Sequence, residues 1–364
     1  MKKISLIGST GSIGRQVADI VRRNPDKFKI VALVANSESG QFERQKAEFK
    51  PNFSALASKD NSLPAAEWTD ADIIFNAAGG FAGLQYSLKA VQAGKTLALA
   101  NKETLVCGGD IIMPLAKKSG AKIIPVDSEH SAIWQCLNFN NDTKVRRLII
   151  TASGGAFRNL PPEKLKSVTP EQALNHPTWK MGKKITVDSA TLMNKGYEVI
   201  EAHQLYGTEY SNIETVIQPQ SIVHSLVELE DGAVLAQMSY PTMELPISLA
   251  LSFPERIATT LKPMDFKSAF SLQFEPMERK KYPCFDLALA CGEQGGIMPC
   301  VLNAADEVAV QAFLEGEIAF TDIHRVVEAT VSAISNEAVK SFEQLQSIND
   351  RAREIARKNI QKLQ

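Results

Sequence analysis

The chain is poor in cysteine and has no cysteine pair: Cys107, Cys136, Cys284, Cys291 and Cys300 are odd in number, and no C-x-x-C occurs. This argues against a disulfide framework or a structural zinc site and fits a reducing compartment. Charge of one sign is not in surplus. Forty Lys and Arg against 41 Asp and Glu leave a formal net charge of -1, which argues against a nucleic-acid partner. No apolar run approaches the ~20 residues of a membrane span. Internal repeats and low-complexity segments are missing too, so solenoids and disordered tracts are set aside. The opening run Ile4-Ser5-Leu6-Ile7 is too short for a signal-peptide core and reads as a first strand. What remains is ordinary globular usage, 44% hydrophobic and 22% charged over 364 residues. The expectation is a soluble, cytoplasmic protein of about two or three domains.

Residues 1–127 alternate short apolar runs (Ile4–Ile7, Ile30–Val34, Ile73–Phe75, Thr96–Leu99, Lys122–Val126) with helical patterns such as Ile13–Arg23 and Leu84–Ala93. Strands alternating with helices predict βαβ units and a buried parallel sheet. Over 128–255 the texture changes to strand-like runs at Arg147–Ala152, Thr215–Ile217, Ile222–Glu230 and Ala233–Met238. Asp231-Gly232 between the last two predicts a hairpin, because this dipeptide suits a φ > 0 turn. Residues 256–279 read as a linker. Residues 280–364 read as a small helical domain, with periodicity over Asn303–Leu314, Asp322–Ile334 and Ile348–Leu363. The predicted fold class is α/β: a Rossmann-like N-terminal domain, a central α+β domain with an open sheet, and a helical C-terminal domain.

The first strand runs into Gly8-Ser9-Thr10-Gly11-Ser12-Ile13-Gly14 and then a helix. The spacing is G-x-x-G-x-x-G, but the physics is that of a dinucleotide turn: glycines allow close backbone approach, and a helix N-terminus offers N–H groups to a pyrophosphate. The second strand ends in Ala35-Asn36-Ser37-Glu38, where Asn36 and Ser37 can bond either a ribose hydroxyl or a 2′-phosphate. NADH against NADPH stays open at that point. Two further strand ends carry Asn76–Gly80 and Ala100-Asn101-Lys102-Glu103.

The strand at Lys122–Val126 leads into Asp127-Ser128-Glu129-His130. Read as extended backbone, Asp127 and Glu129 share a face, and two adjacent carboxylates call for a cation or a proton between them. Capping of a helix over Ser131–Leu137 is the competing reading. In Val187–Glu198, Asp188 or Ser189 is expected to cap a helix running to about Leu205, on which Asn194, Lys195 and Glu198 share a face. That face suits a phosphate beside a hard divalent cation, with Glu198 as an oxygen ligand and Glu201 as a candidate outer ligand. Ser153-Gly154-Gly155 reads as an anion nest, and His176–Gly182 as a loop able to close over a ligand.

Taken together, Gly8–Gly14, Ala100–Glu103, Pro125–His130, Ser153–Gly155, His176–Gly182, Val187–Glu198, Gln218–Ser225 and Leu302–Ala305 resemble the 1-deoxy-D-xylulose 5-phosphate reductoisomerase family, over nearly the whole chain. The resemblance implies Asp127, Glu129 and Glu198 as ligands of one divalent cation, Mn²⁺ or Mg²⁺ with Co²⁺ as a further candidate. It implies Lys102, Glu129 and His176 as catalytic residues. Lys102, Ser128, Glu129, Ser153, His176, Trp179, Ser189, Asn194, Lys195 and Glu198 would contact the sugar phosphate. Thr10, Gly11, Ser12, Ile13, Asn36, Asn101, Glu103, Met181 and Gly182 would line an NADPH site, with Trp179 and Met181 on a flap. Where the family often has a basic or small residue after its second strand, this chain has Ser37-Glu38, and Pro51–Asp72 is short.

The activity so implied is NADPH- and metal-dependent rearrangement and reduction of 1-deoxy-D-xylulose 5-phosphate to 2-C-methyl-D-erythritol 4-phosphate, by a homodimer without nucleic-acid or membrane partners. The competing readings are another NAD(P)-dependent sugar-phosphate or semialdehyde dehydrogenase and a non-catalytic nucleotide-binding redox sensor. Neither calls for three carboxylates beside the Asn194–Lys195 face.

Overall fold

A computed structural model describes residues 1–140 and 143–363. Asn141 and Asp142, inside the expected 128–255 block, and Gln364, at the end of the helical block, lie outside the described residues. In chain order the elements begin β1 (Lys2–Ile7), α1 (Ser12–Arg23), β2 (Phe28–Ala35), α2 (Gly40–Phe49), β3 (Phe53–Leu56), β4 (Ile73–Asn76), α3 (Gly83–Gln92), β5 (Thr96–Leu99), α4 (Glu103–Ser119), β6 (Lys122–Pro125) and α5 (Ser128–Cys136). They continue with β7 (Val145–Ala152), α6 (Pro170–Leu174), α7 (Lys183–Thr191), α8 (Met193–Tyr206), β8 (Ile213–Ile217), β9 (Val223–Leu229), β10 (Val234–Met238), α9 (Glu244–Ser252) and β11 (Glu275–Pro276). The chain ends in α10 (Pro283–Gln294), α11 (Met298–Leu314), α12 (Asp322–Ser332) and α13 (Phe342–Gln361).

Two compact units emerge, and both are discontinuous in sequence, whereas the expected blocks were contiguous. The first comprises Met1–Thr104, Ile111–Ser131 and Thr242–Pro263; the second comprises Leu105–Asp110, Ala132–Pro241 and Met264–Gln364. The first holds a six-stranded sheet in the order β3-β2-β1-β4-β5-β6, parallel throughout. Its central strands are apolar on both faces, as a helix-covered parallel sheet requires. The Ile4–Ile7 run and nearly all of β2 are buried. Register sets the strand ends level: Ile7 pairs with Val34 and Asn76, Asn76 with Leu99, and Leu99 with Pro125. The chain turns from β1 to β2 on one side and to β4 on the other, so β1/β4 is the switch point where such sheets bind ligands at their carboxyl edge. The amphipathic α1 buries Val17, Ala18, Ile20 and Val21. Although α9 is remote in sequence, it joins this unit through Arg23–Glu244 at 2.8 Å and through Lys2, whose ammonium donates to the Ser252 carbonyl at 2.9 Å.

The second unit holds a mixed five-stranded sheet, β10-β9-β7-β8-β11. β7 runs parallel to β8 and antiparallel to β9, and β9–β10 is the predicted hairpin, with Gly232 at φ +89°. Leu148, Ile150, Val199, Ile217, Val227 and Phe285 form a core joining the sheet to α8 and α10. The other helices are α11–α13, with α11 buried along almost its whole length. Among the described residues no helix is long and apolar enough to cross a membrane.

Three expectations need correction. Asp127 and Glu129 do not share an extended segment: the strand stops at Pro125 and α5 begins at Ser128, so Glu129 sits in a first helical turn. Its start is fixed by the Asp127 carbonyl, which accepts from the Ser131 N–H at 2.8 Å. Secondly, Asp188 and Ser189 cap nothing. They lie inside α7, which ends where Leu192 turns left-handed at φ +56°, and α8 then starts afresh. The Thr191 hydroxyl accepts from the Met193 N–H at 3.2 Å at this break. Thirdly, the sheet has a sixth strand, β3, that no apolar run announces.

Candidate active site

In the first unit the glycine turn is built for close approach. Gly8 has φ +79°, and a Cβ there would stand 2.3 Å from the Ala77 carbonyl oxygen. A Cβ on Gly14 would stand 2.2 Å from the Gly8 oxygen, so α1 starts as near the turn as backbone allows. Gly11 occupies the N-cap and supplies no side-chain cap, which leaves first-turn N–H groups to an anion. The turn is thus a cradle that fits a pyrophosphate. Thr10 and Ser12 flank it, half-buried, with Ile13 behind. Asn36 is exposed just past β2, and its carbonyl accepts from the Ser58 N–H at 3.0 Å. Glu38 pairs with Lys59 at 2.9 Å, and that hydrogen bond holds its carboxyl below the usual range.

Asn101 braces the neighbouring turn. It is buried, its amide donates to the Ala78 and Gly80 carbonyls, each at 3.0 Å, and to Glu103 at 2.7 Å, while its oxygen accepts from the Thr104 N–H and hydroxyl. Lys102 is ion-paired with Asp127, and both are largely shielded from water. The Ser128 hydroxyl donates to Glu129 at 2.5 Å. The edge of one sheet therefore carries an ammonium, a hydroxyl and two carboxylates beside the dinucleotide turn.

In the second unit, β7 is followed by Ser153, then Gly154 at φ +84° and Gly155 at φ +70°. Only glycine fits the second of these, since a Cβ would lie 2.4 Å from the Ser189 oxygen at the end of α7. The Ser153 hydroxyl meets His176 Nε2 at 2.9 Å. His176 Nδ1 accepts the Trp179 N–H at 2.9 Å and the Thr178 N–H at 3.2 Å, so the ring proton resides on Nε2. Burial first, and the Arg158 charge second, push the His176 pKa down to about 4. The loop from His176 to Gly182 leans Trp179 edge-on against the His224 ring, 6.0 Å between centroids. Thr178 meets Ser221 at 3.3 Å. Met181 is half-buried, and Gly182 is the N-cap of α7.

On α8, Glu198 is 1% exposed and Lys195 3%. The Lys195 ammonium pairs with one Glu198 oxygen, and Asn194 donates to the other at 2.5 Å. The i, i+3 and i, i+4 spacing read from sequence thus brings these three together at the helix start, and Ser189 is buried at the end of α7. Ionic oxygen ligands are the donor set a hard divalent cation takes, and Asp127, Glu129 and Glu198 are all of that kind. Cysteine chemistry is disfavoured: burial pushes Cys136 up to about 11 and Cys291 up to about 12, so these thiols stay protonated.

Sequence reasoning missed Arg158, which donates to the Ser153 carbonyl at 2.7 Å. It also missed Lys184, which bridges Asp188 and Asp306 at 2.6 Å each. The Arg158 contact spans five residues of irregular turn and the Asp306 contact 122 residues, so no period could have flagged either. His224 gave a weak signal by lying in the matched Gln218–Ser225 stretch.

Comparison with known proteins gives the family. Family profiles described as 1-deoxy-D-xylulose 5-phosphate reductoisomerase match residues 4–64 and 55–109, and those of its C-terminal domains match 123–206 and 238–355. The reductoisomerase of Microcystis aeruginosa is 47% identical over 97% of each chain. That of Thermodesulfovibrio yellowstonii is 46% identical over 99% of this chain and all of its own. That of Crocosphaera subtropica is 51% identical over 91% of this chain and 89% of its own. Among solved structures, a DOX-P reductoisomerase in complex with NADPH, fosmidomycin and magnesium superposes with TM-score 0.91 at 35% identity, covering 100% of this chain and 99% of that one. The Zymomonas mobilis enzyme in complex with NADPH gives 0.89 at 37%, covering 99% of both. On sequence and structure alike, the chain belongs to the 1-deoxy-D-xylulose 5-phosphate reductoisomerase family.

Proposed function

We propose that this chain converts 1-deoxy-D-xylulose 5-phosphate to 2-C-methyl-D-erythritol 4-phosphate, using NADPH and one divalent cation, Mn²⁺ or Mg²⁺, in non-mevalonate isoprenoid precursor synthesis. The observation that carries this is the 46% identity across 99% of the chain to a curated reductoisomerase. The readings as another sugar-phosphate or semialdehyde dehydrogenase, or as a redox sensor, are not favoured.

In the residue-level reading, residues 1–127 bind NADPH through Thr10, Gly11, Ser12 and Ile13 at the pyrophosphate, with Asn36 toward the ribose. Asn101 and Glu103 shape the adjoining turn, and Met181 and Gly182 lie toward the nicotinamide. The Glu38–Lys59 pair offsets the acidic charge that would otherwise oppose a 2′-phosphate. Asp127, Glu129 and Glu198 hold the cation. When bound, the cation supplies Lewis-acid polarisation of the substrate's carbonyl and hydroxyl oxygens, and NADPH supplies the hydride. Lys102 places a positive charge near developing oxyanion charge, and Ser128 and Glu129 contact substrate hydroxyls. Ser153, Ser189, Asn194 and Lys195 clamp the phosphate, so remote binding energy positions the reacting carbons. His176 stays neutral and acts as a hydrogen-bond donor. Closure of the loop bearing Trp179 excludes water from the aldehyde that hydride reduces.

The enzyme is further read as a cytoplasmic homodimer. Support for the dimer comes from the second unit, where edge strand β10 exposes Val234 and Leu235, and the separate segment before β11 exposes Phe266, Phe270 and Phe274. An apolar sheet edge seeks cover.

The test is NADPH oxidation on addition of 1-deoxy-D-xylulose 5-phosphate with Mn²⁺ or Mg²⁺, then with EDTA, repeated with NADH. Metal-dependent oxidation is expected. Its absence in a folded, cofactor-binding protein would sink the assignment.

A further inference from the structure

The hydrogen bonds around Ser153 fix its polarity. A serine hydroxyl has one proton to give and two lone pairs to receive with. At Ser153 both lone pairs are taken: Gly155 donates its N–H at 3.2 Å, and His176, whose Nδ1 is committed to two backbone N–H groups, donates from Nε2 at 2.9 Å. The serine proton is therefore the one capacity left for a ligand, and the ligand atom it meets must be an acceptor. This polarity holds only while the turn keeps its shape, and that shape depends on left-handed backbone at two successive glycines.

Arg158 holds the turn from beneath. Its guanidinium donates to the Ser153 carbonyl at 2.7 Å, and its aliphatic stem lies so close to Gly154 that a Cβ there would meet Arg158 Cδ at 2.7 Å. Arg158 is itself anchored: the buried Lys281 ammonium donates to its carbonyl at 2.6 Å, and the Tyr282 hydroxyl donates to the Gly154 carbonyl at 3.3 Å. Both anchors immediately precede α10, so the turn at the end of β7 is braced by residues about 120 positions downstream.

We propose that Arg158 is a positioning residue for substrate binding: by pinning the Ser153 carbonyl it keeps the serine hydroxyl as a donor to an anionic oxygen of the sugar phosphate. The guanidinium does not touch the substrate. It sets the serine, and its positive charge opposes a second proton on His176, which would place an N–H against the Trp179 and Thr178 N–H groups. The inference rests on the reductoisomerase reading and deepens it.

The experiment compares full-length wild type with Arg158→Met, which keeps the stem and removes the cation, and Arg158→Lys, which restores a cation. A charge-assisted hydrogen bond lost from a binding turn predicts a roughly ten- to hundredfold rise in KM for 1-deoxy-D-xylulose 5-phosphate in Arg158→Met. The fall in kcat should be much smaller, NADPH affinity unchanged, and KM partly recovered in Arg158→Lys. An unchanged KM in folded Arg158→Met overturns the proposal. So does a loss in which KM, NADPH affinity and thermal midpoint all decline together and Arg158→Lys recovers nothing, because that is the mark of a merely structural residue. Nitrogen-15 spectra of the histidines in substrate-free protein give a readout independent of turnover. The His176 ring should be the Nε2–H tautomer in wild type and should shift in Arg158→Met. No turnover by wild type would defeat the functional reading, while an undisturbed His176 signal would defeat this one.

Discussion

Replacing Lys184 with methionine tests whether the buried charges at the start of α7 behave as a unit. Lys184 stands in the first turn of α7, directly after the 176–182 loop, and its ammonium lies 2.6 Å from both Asp188 and Asp306 and 5.3 Å from the centre of the Tyr197 ring. The Asp306 side chain is wholly buried and that of Asp188 is 4% exposed, while that of Lys184 is 29% exposed. Removing one partner of a fully buried pair costs about 3–5 kcal/mol, because the remaining charge is left uncompensated. Partial exposure of the ammonium and relaxation by water lower that to about 2–4 kcal/mol here. With a urea slope of about 2–3 kcal/mol/M, the unfolding midpoint should drop by roughly 1 M. The decisive control is Lys184→Met combined with Asp306→Asn, which removes a buried charge along with its counter-ion. If electrostatics dominates, the double variant is more stable than Lys184→Met alone. A midpoint within about 0.2 M of wild type, or a double variant no better than the single one, would refute the reasoning.

Three other outcomes follow from the geometry. Glu198→Gln should lower metal-dependent turnover by at least about a hundredfold while leaving NADPH affinity within about twofold, measured by steady-state kinetics and cofactor fluorescence titration; equal loss of both would misplace the carboxylate. Gly14→Ala forces a methyl against the Gly8 carbonyl and the Ser9 backbone, so it should destabilise by about 1–3 kcal/mol and weaken NADPH binding in the same titration. His176 is held near 4, below the ~6.5 of an unfolded histidine. Between those values the unfolded chain takes up a proton that the folded one refuses. Stability should then fall as pH drops from about 6.5 toward 4, with no contribution above 6.5, and His176→Gln should flatten that limb of a urea-midpoint-against-pH plot.

Much of this architecture was legible because local pattern and tertiary demand agree. The buried strands β1, β2, β4, β5 and β6 read as apolar runs since the sheet is covered on both faces. The Asn194–Lys195–Glu198 face followed from helical spacing alone. The misses have particular causes. β3 is an edge strand with only Ala55 buried, so it needs no apolar run. The break at Leu192 puts a leucine in a conformation its type does not advertise, and Thr191 closes it with a hydroxyl that sequence reads as an ordinary helix residue. Asp127-Ser128-Glu129 is ambiguous because the same residues continue a polar strand end or start a helix. Arg158, Lys184 and Asp306 act through contacts whose spacing belongs to the folded chain and to no period.

The broken sequence of the first unit bears on how the protein is made. Its sheet is not closed by the first 104 residues: β6 comes from 111–131, and α9, which is tied to α1 and β1, comes from 242–263. A ribosome adding about 5–20 residues per second delivers those last 22 residues roughly 13–50 s after it starts. For that interval the nascent six-stranded sheet leaves the α9-facing side of α1 uncovered. Chaperone engagement with the growing chain should therefore persist until Pro263 has emerged, and a fragment ending at residue 131 should need an added 242–263 peptide to become compact.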